Sequence, residues 1–360
     1  MRAFNKDFTR IETYREMDMK PDFNNLLMTL EKKTPAKPVL FEFILNKQLF
    51  QIMLNDIEYD ESDIAITKHK KVIDTYRKFG YDYAFVRDPS LKFDRGLQQI
   101  NAKKTRSLNQ GALITDRESF EAFKWKEPED ADLTWLDVLS DYLCEGMKLI
   151  TAAPDGIFET VMKMVGYDNM CFMSADDPEL LMEIFDAVGS RYLEYYKIFA
   201  KHDAVGALMQ DDDWGFNTQT FFPSKDMRKY FLCWHKKFAE ASHEAGKPIL
   251  LHSCGNIEGV MEDVIYDIKY DGLHSFEDNI MPVEEIYEKY KNKIAILGGI
   301  DVNFLCYSTP LEIYNRSLKM LERCQESGGY ALGSGNSIPE YVPLENYLAM
   351  ISAAIMNPEG

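Results

Sequence analysis

The chain has 360 residues, of which 46% are hydrophobic, so it can build a sizeable core, and an intrinsically disordered protein is excluded. Its formal net charge of −18 excludes nucleic acid and anionic membrane surfaces as expected partners, because their phosphates would be repelled. The length suits one large domain or two ordinary ones.

The cysteine pattern predicts a protein of the reducing cytoplasm. The first residues contain no apolar signal core, and no apolar run approaches the length of a membrane span. The cysteines are scattered without paired spacing, which indicates free thiols. They are Cys144, Cys171, Cys233, Cys254, Cys306 and Cys324.

The N-terminal part is predicted to be a helical extension. Residues 1–37 are charged and periodic, with a helical pattern at 22–30, and the first buried strand follows at 38–44. We therefore predict one domain over 38–360. Glu42 is the one charge in the first strand, and it is typical either of a solvent contact at the strand end or of a pocket mouth.

Residues 63–86 predict a regular helix and strand, whereas the residues that follow them predict no regular element. Residues 63–80 have a helical pattern that ends at a glycine, and the strand at 81–86 is followed by Arg87. The polar stretch 91–135 predicts an excursion, and long connections in compact domains are usually functional or partly ordered. The sequence does not decide whether this excursion closes over a site.

Eight short apolar runs alternate with helical patterns from residue 38 to the end. The longest helical pattern, at 177–202, repeats its apolar residues at three- to four-residue spacing. Strict alternation implies parallel strands with right-handed crossovers, and eight units fit an α/β protein with a (β/α)8 TIM barrel. A doubly wound sheet is the alternative, but no glycine-rich dinucleotide loop follows the first strand. The runs are 38–44, 81–86, 148–153, 205–209, 248–251, 270–276, 294–297 and 329–332.

A barrel of this kind collects its functional residues at the carboxyl ends of its strands. Any single polar residue there is more often an ordinary turn, but their joint position on one rim makes the group a candidate site. The candidates are Glu42, Arg87, Asp211, Asp212, Asp213, Trp214, His252, Cys254, His274, Glu277, Asp301, Cys306, Ser334 and Asn336.

One pair among them is typical of a metal site. His252 and Cys254 stand two positions apart on the loop after a buried strand, where both side chains can point at one centre. Imidazole nitrogen and thiolate sulfur both bind Zn²⁺. The alternative interpretation is a capped loop with a buried thiol.

Several motifs together resemble the uroporphyrinogen decarboxylase superfamily. The resemblance covers most of the chain, is strongest from about residue 205 onward and is weak before 140. It implies a (β/α)8 barrel, and related barrels often form homodimers. The motifs are DDWGF at 212–216, AGKP at 245–248, HSCGN at 252–256, GGID at 298–301, GSGNSIP at 333–339 and PLEN at 343–346.

One branch of that superfamily decarboxylates uroporphyrinogen without a cofactor. Its members carry an arginine-rich segment just after the first strand, which binds the carboxylates of the substrate. The corresponding segment here, 43–48, contains no arginine, so a polycarboxylate would be poorly held. The resemblance therefore favours the other branch.

The other branch consists of corrinoid-linked methyltransferases such as methylcobalamin:coenzyme M methyltransferase. The resemblance implies zinc bound by His252, Cys254 and a third residue after the last strand. That third position falls at or beside Asn336, a poor zinc ligand, so Glu277, His274 or Cys306 could complete the site, or it could be metal-free.

The resemblance also implies roles for the rim residues. A zinc-bound thiolate would take a methyl group from a corrinoid on a separate carrier protein, so the barrel mouth would be a docking surface. Asp212, Asp213 and Glu277 are then the candidate catalytic residues, of which the aspartates would orient the substrate. The candidate substrate-binding residues are Glu42, Arg87, Asp211, Trp214, Asp301, Ser334 and Asn336.

Three functions remain open on the sequence. The first is a methyltransferase acting with a corrinoid protein, favoured by His252 and Cys254. The second is a cofactor-free decarboxylase of a small or tetrapyrrole carboxylic acid, which predicts no metal and a basic pocket around Arg87. The third is a non-catalytic binding partner of a corrinoid protein, favoured by Asn336. The sequence gives neither the methyl donor nor the acceptor, nor the oligomeric state.

Overall fold

The computed structural model describes residues 5–60, 62–87, 92–94 and 112–356, and within them helices alternate with parallel strands. Much of the predicted excursion at 91–135 lies outside the described residues. The protein is an α/β protein, and the seven strands of its described residues form one sheet, paired in chain order and all parallel. The strands are β1 (Tyr83–Arg87), β2 (Lys148–Ala152), β3 (Val205–Asp211), β4 (Ile249–His252), β5 (Gly272–His274), β6 (Ala295–Leu297) and β7 (Tyr330–Ala331).

Helices connect successive strands, because neighbouring parallel strands need a crossover; between β4 and β5 the crossover consists of a 3-10 helix (Glu258–Val260) and a π-helix (Asp263–Ile268). Within the described ranges, none of them has both the length and the apolar composition that a membrane crossing requires. The helices are α1 (Ile11–Glu16), α2 (Asn24–Leu30), α3 (Lys47–Leu54), α4 (Ile64–Lys78), α5 (Arg117–Glu121), α6 (Thr134–Tyr142), α7 (Ile157–Val165), α8 (Tyr167–Asp176), α9 (Pro178–Lys201), α10 (Ser224–Met227), α11 (Cys233–Glu244), α12 (Val283–Tyr290), α13 (Val302–Tyr307), α14 (Pro310–Cys324) and α15 (Leu344–Ile355).

The long helix α9 shows why the sequence forms these elements. The side chain of Asp177 accepts a hydrogen bond of 3.0 Å from the backbone N–H of Leu180, and Pro178 occupies the first helical position. An aspartate cap followed by proline is a common helix start. The predicted apolar face is buried, so its side chains hold α9 against the sheet and α11.

The first predicted strand, 38–44, is the main departure from the expected fold. Only Leu40 forms a bridge, to Leu332, through hydrogen bonds of 2.8 Å on either side of it. Towards β1, the hydroxyl of Tyr83 donates to the carbonyl of Glu42 and accepts from its N–H, at 2.6 and 2.8 Å. A side chain therefore takes the backbone groups that a ladder would need, and the prediction of a regular strand here is wrong.

The register of the middle strands brings polar residues together. At the carboxyl end of β3, Asp211 is the partner of His252 on β4, and His252 is the partner of His274 on β5. Residues in register on neighbouring parallel strands point to the same face of the sheet. Three ionisable side chains therefore stand side by side at this edge.

Candidate metal centre

Three donor atoms of different chemistry converge at the ends of β3 and β4. The ligand atoms of Asp213, His252 and Cys254 all lie within 4.8 Å of one another. The Nε2 atom of His252 is 3.6 Å from the sulfur of Cys254 and 3.9 Å from Oδ1 of Asp213. Nitrogen, thiolate sulfur and carboxylate oxygen are the ligands that zinc takes in proteins, so the donor set fits this metal.

Direct contact between two loops shapes this cluster. The backbone N–H of Cys254 donates to Oδ1 of Asp213 at 2.8 Å. The next residue, Gly255, has a φ of +87°, and a Cβ there would lie 2.1 Å from the carbonyl oxygen of Gly215. The loops after β3 and β4 can approach this closely only because Gly255 has no side chain.

Replacing Gly255 with alanine is expected to lower the free energy of unfolding by about 2–4 kcal/mol, through backbone strain and collision with Gly215. Gly246→Ala is the matched control, because Gly246 has a φ of +71° but no heavy atom within 4 Å of the point where a Cβ would lie. Gly246→Ala is expected to lower the free energy of unfolding by only about 1 kcal/mol. Urea denaturation measures both, and equal losses would show that the loop contact contributes nothing.

A hydrogen-bonded chain behind His252 determines which of its nitrogens is free. The carbonyl of Ser334 can only accept, so Nε2–H of His274 donates to it at 3.2 Å. Nδ1 of His274 is then an acceptor, and it takes the hydrogen of Nδ1 of His252 at 2.7 Å. This leaves the lone pair of Nε2 of His252 directed at the other two donors, as a metal ligand requires.

Burial keeps both imidazoles neutral, which this tautomer assignment needs. Burial, and secondarily the Arg87 guanidinium, lower the pKa of His252 to about 3. Burial and the neighbouring His252 hold the pKa of His274 well below its usual value. Neutral imidazole is the form of histidine that binds metals.

Aromatic and ionic contacts fix the position of the His252 ring. Phe43 stacks on it, with 4.2 Å between the ring centroids and 28° between the planes. The guanidinium of Arg87 lies 5.5 Å from the centroid of Phe43 and forms an ion pair with Asp211. The cation predicted to bind substrate is therefore already neutralised by one of the rim aspartates.

Two side chains donate hydrogen bonds to the sulfur of Cys254. Nδ2 of Asn336 lies 3.1 Å from it, and Oγ of Ser275 lies 3.6 Å from it. Burial, together with Asp213, raises the pKa of the Cys254 thiol. Asn336 thus occupies the position implied for the third ligand, and there its N–H donates to the sulfur of Cys254.

Asp212 and Trp214 lie behind the cluster, fully buried. The backbone N–H groups of Phe158 and Glu159, at the start of α7, donate to the Asp212 carboxylate at 3.1 and 3.0 Å. The indole of Trp214 also donates to it, and Nε2 of His235 is its fourth partner, both at 3.0 Å. These hydrogen bonds join the Asp212 carboxylate to groups within the protein fold. Asp213, in contrast, faces His252 and Cys254.

Glu42 and Ser334 support His274 and do not reach the donor atoms. The N–H and the hydroxyl of Ser334 each donate to an oxygen of Glu42 at 2.7 Å. Glu42 is fully buried, and burial raises its pKa to about 8 although both bonds from Ser334 act to lower it. These two residues hold the carbonyl that orients His274.

The remaining candidates lie around the cluster. Asp301 caps α13, accepting from the N–H of Phe304 at 2.9 Å and from that of Asp278 at 3.0 Å. Cys306 lies within α13, and Glu277 lines a cavity after β5. Among the described residues, neither of these nor His274 joins the group of three donors.

Burial and neighbouring carboxylates raise the pKa of two acidic residues at the donors, Glu159 and Asp213. For Glu159, burial raises the pKa to about 7, with Asp211 and Asp213 adding to the effect and Lys163 opposing it. For Asp213, burial is again the largest cause, followed among the raising effects by Asp211. Sequence reasoning missed Glu159, which follows the predicted strand 148–153, and Ser275, which was placed inside the predicted strand 270–276 but lies just after β5.

Comparison with known proteins adds a family description. The description "Uroporphyrinogen decarboxylase (URO-D)" matches residues 116–355, which is most of the chain and includes all three donors. No curated protein sequence shows a significant match.

Solved structures similar to this chain include two from different organisms. The methyltransferase from Methanosarcina mazei superposes with a TM-score of 0.68 over 94% of this chain and 99% of that chain, at 16% identity. A Listeria monocytogenes protein, described as a vitamin-B12-independent methionine synthase, reaches 0.47 over 90% and 99%, at 12% identity. The first likeness shows the fold alone, and the second is too weak to carry an argument.

Proposed function

Because the chain belongs to the uroporphyrinogen decarboxylase family, we propose that it is a methyltransferase of that family, moving a methyl group from a corrinoid to a thiol. The observation that carries this proposal is the convergence of Asp213, His252 and Cys254. Three protein ligands of these types are typical of catalytic zinc, which keeps one position open for a substrate.

In this proposal the three donors hold zinc, with Asp213 in the role that the sequence suggested for Glu277, His274 or Cys306. Bound zinc supplies positive charge that favours the deprotonated form of a coordinated thiol. The acceptor sulfur takes the methyl group, the electrons of the broken bond stay with the corrinoid, and the thiol proton goes to solvent.

The surrounding residues have supporting roles. His274 fixes the tautomer of His252, and Ser275 and Asn336 reduce the charge density on the sulfur of Cys254 through their hydrogen bonds. Phe43 covers one face of the His252 ring and excludes water from it. Without these contacts, His252 could rotate or swap its protonated nitrogen.

The proposal also includes a complete (β/α)8 barrel and a corrinoid carrier protein as the partner. Val39–Phe41, bridged to Leu332, would stand at the eighth position of a (β/α)8 barrel over 38–360, with 1–37 as its extension. A corrinoid carrier protein of the cytoplasm would deliver the methyl group at the mouth of that barrel.

Two observations count against the alternative functions. A decarboxylase needs a basic pocket at Arg87, but the guanidinium of Arg87 is paired with the carboxylate of Asp211. A non-catalytic protein was suggested by the lost ligand at Asn336, but Asp213 supplies a third donor. The methyltransferase is therefore the function that the geometry supports best.

Metal analysis of protein purified without chelator tests the proposal. Wild type and the control Cys306→Ser are expected to hold about one zinc ion per chain, as a three-ligand site requires. His252→Ala, Cys254→Ser and Asp213→Asn are each expected to lower zinc affinity by about 100-fold or more. Methylcobalamin consumption with added thiols should fall in parallel.

A wild-type protein that takes up no zinc, even when zinc is offered, would overturn the zinc-thiol mechanism. Loss of zinc in Cys306→Ser but not in Asp213→Asn would move the third ligand to Cys306.

A further inference from the structure

Ser334 links the buried carboxyl group of Glu42 to the nitrogen donor of the metal centre. The N–H and the hydroxyl of Ser334 donate to the two oxygens of Glu42, each at 2.7 Å. The carbonyl of Ser334 accepts the Nε2–H of His274 at 3.2 Å, and His274 in turn accepts the Nδ1–H of His252 at 2.7 Å. One serine and one histidine therefore connect an acid group to the ring whose Nε2 faces the other two donors.

The hydroxyl of Ser334 also has an acceptor on the side of the sulfur donor. Its Oγ lies 2.5 Å from the carbonyl oxygen of Asn336, and Nδ2 of Asn336 lies 3.1 Å from the sulfur of Cys254. A hydroxyl has a single hydrogen, which it donates to Glu42 when that carboxyl group is ionised. When Glu42 is protonated, it can donate to Oγ, and the hydroxyl then donates to Asn336. The hydrogen bonds of Ser334 therefore differ between the two ionisation states of Glu42.

Glu42 lies among neutral groups. It is fully buried, and burial raises its pKa to about 8 against the effect of the two bonds from Ser334. The titratable side chains of the described residues that interact with its charge are tyrosines, and burial holds the pKa of each of them well above its usual value. They are Tyr76 on α4, Tyr81 just before β1, Tyr83 on β1, Tyr330 on β7 and Tyr347 on α15. Within this cluster, Glu42 is therefore the group whose charge changes near neutral pH.

We propose that Glu42 regulates the metal centre through its charge, so that the ionised form strengthens zinc binding and the protonated form weakens it. The negative charge attracts the zinc cation across a protein interior of low dielectric constant. Through Ser334 and His274, it also raises the basicity of His252, as a carboxylate behind a histidine ligand does. Zinc binding then releases the proton of Glu42 to solvent, in addition to the proton that the Cys254 thiol loses. This inference rests on the proposed function, because it places zinc at the three donors.

Calorimetric titration of the zinc-free protein with zinc, from about pH 6 to about pH 8 and in buffers of different ionisation enthalpy, tests the inference. The affinity of the wild type is expected to rise more steeply with pH than that of Glu42→Gln, by up to about tenfold per pH unit, and its binding to release up to about one more proton. Glu42→Met, of similar length and without charge, is expected to match Glu42→Gln and replaces it if the amide variant does not fold.

The matched control is Asp82→Asn. Asp82 is a buried carboxyl group whose pKa burial also raises, but it lies just before the start of β1 and pairs with Lys37 at 2.8 Å. Its replacement is expected to leave both the pH slope and the proton release unchanged, because no hydrogen-bonded chain described here leads from it to a donor.

The zinc bound by each sample separates two kinds of failure. If the wild type and Glu42→Gln bind zinc with the same pH slope and the same proton release, Glu42 does not regulate the centre and the methyltransferase proposal stands. If the wild type binds no zinc at any pH, the proposed function fails and this inference fails with it. An equal change of slope in Asp82→Asn would also overturn the role of Glu42, because the effect would then belong to buried carboxyl groups in general.

Discussion

Replacing Asp212 with alanine is expected to lower the free energy of unfolding by about 3–5 kcal/mol, because the substitution leaves buried donors without an acceptor. The carboxylate joins the first turn of α7 to the loop after β3, through the N–H groups of Phe158 and Glu159. It also binds Trp214 and His235, which are fully buried. Its loss affects two elements at once.

Urea denaturation of three variants measures this effect. Asp212→Asn keeps the shape and one acceptor oxygen, so it is expected to recover part of the loss. Asp213→Ala, compared with the others in zinc-free protein so that loss of the proposed metal does not contribute, is the control, because Asp213 is partly exposed and accepts one backbone hydrogen bond, from Cys254. Asp213→Ala is expected to lower the free energy of unfolding by about 1 kcal/mol. Equal destabilisation by Asp212→Ala and Asp213→Ala would contradict the structural role of Asp212.

The second large effect is a pH dependence that originates at Glu42. Burial raises the pKa of Glu42 from 4.5 to about 8, so the folded protein binds a proton there that the unfolded chain releases. The stability contributed by the protonated form is complete below about pH 4.5 and is lost as the pH rises towards 8. The expected slope within this window is up to about 1.4 kcal/mol per pH unit.

Glu42→Gln isolates this contribution. The amide can accept from the N–H of Ser334 and donate to its hydroxyl oxygen, which in turn donates to the carbonyl of Asn336. The difference in unfolding free energy between the variant and the wild type should grow in favour of the variant from pH 4.5 to 8. A constant difference across that range would show that Glu42 is ionised in the folded protein.

Much of the fold could be predicted because strand and helix signals are local. Short apolar runs between periodic segments predict seven strands in their observed order. The segment 38–44 has the same local signal, but its pairing depends on Tyr83, whose hydroxyl takes the backbone groups of Glu42. No local pattern in the sequence reports such a contact.

In the candidate site, too, some residues could be predicted from local sequence and others could not. His252 and Cys254 could be proposed because their spacing on one loop is visible in the sequence. The sequence alone does not distinguish the three consecutive aspartates Asp211, Asp212 and Asp213. In the structure they differ, because successive side chains of a strand point to opposite faces. Asp211 is therefore beside His252, whereas Asp212 caps α7. The third donor and the tautomer of His252 follow only from the register of three strands.

The hydrogen bonds from Ser334 to Glu42 join positions 292 residues apart in the chain. The donors Asp213, His252 and Cys254 all come from the middle of the sequence, but the carbonyl that orients them through His274 comes from near its end. During synthesis, the donors would be present well before that carbonyl. In the proposed function, secure zinc retention would therefore begin only when both ends of the chain have met.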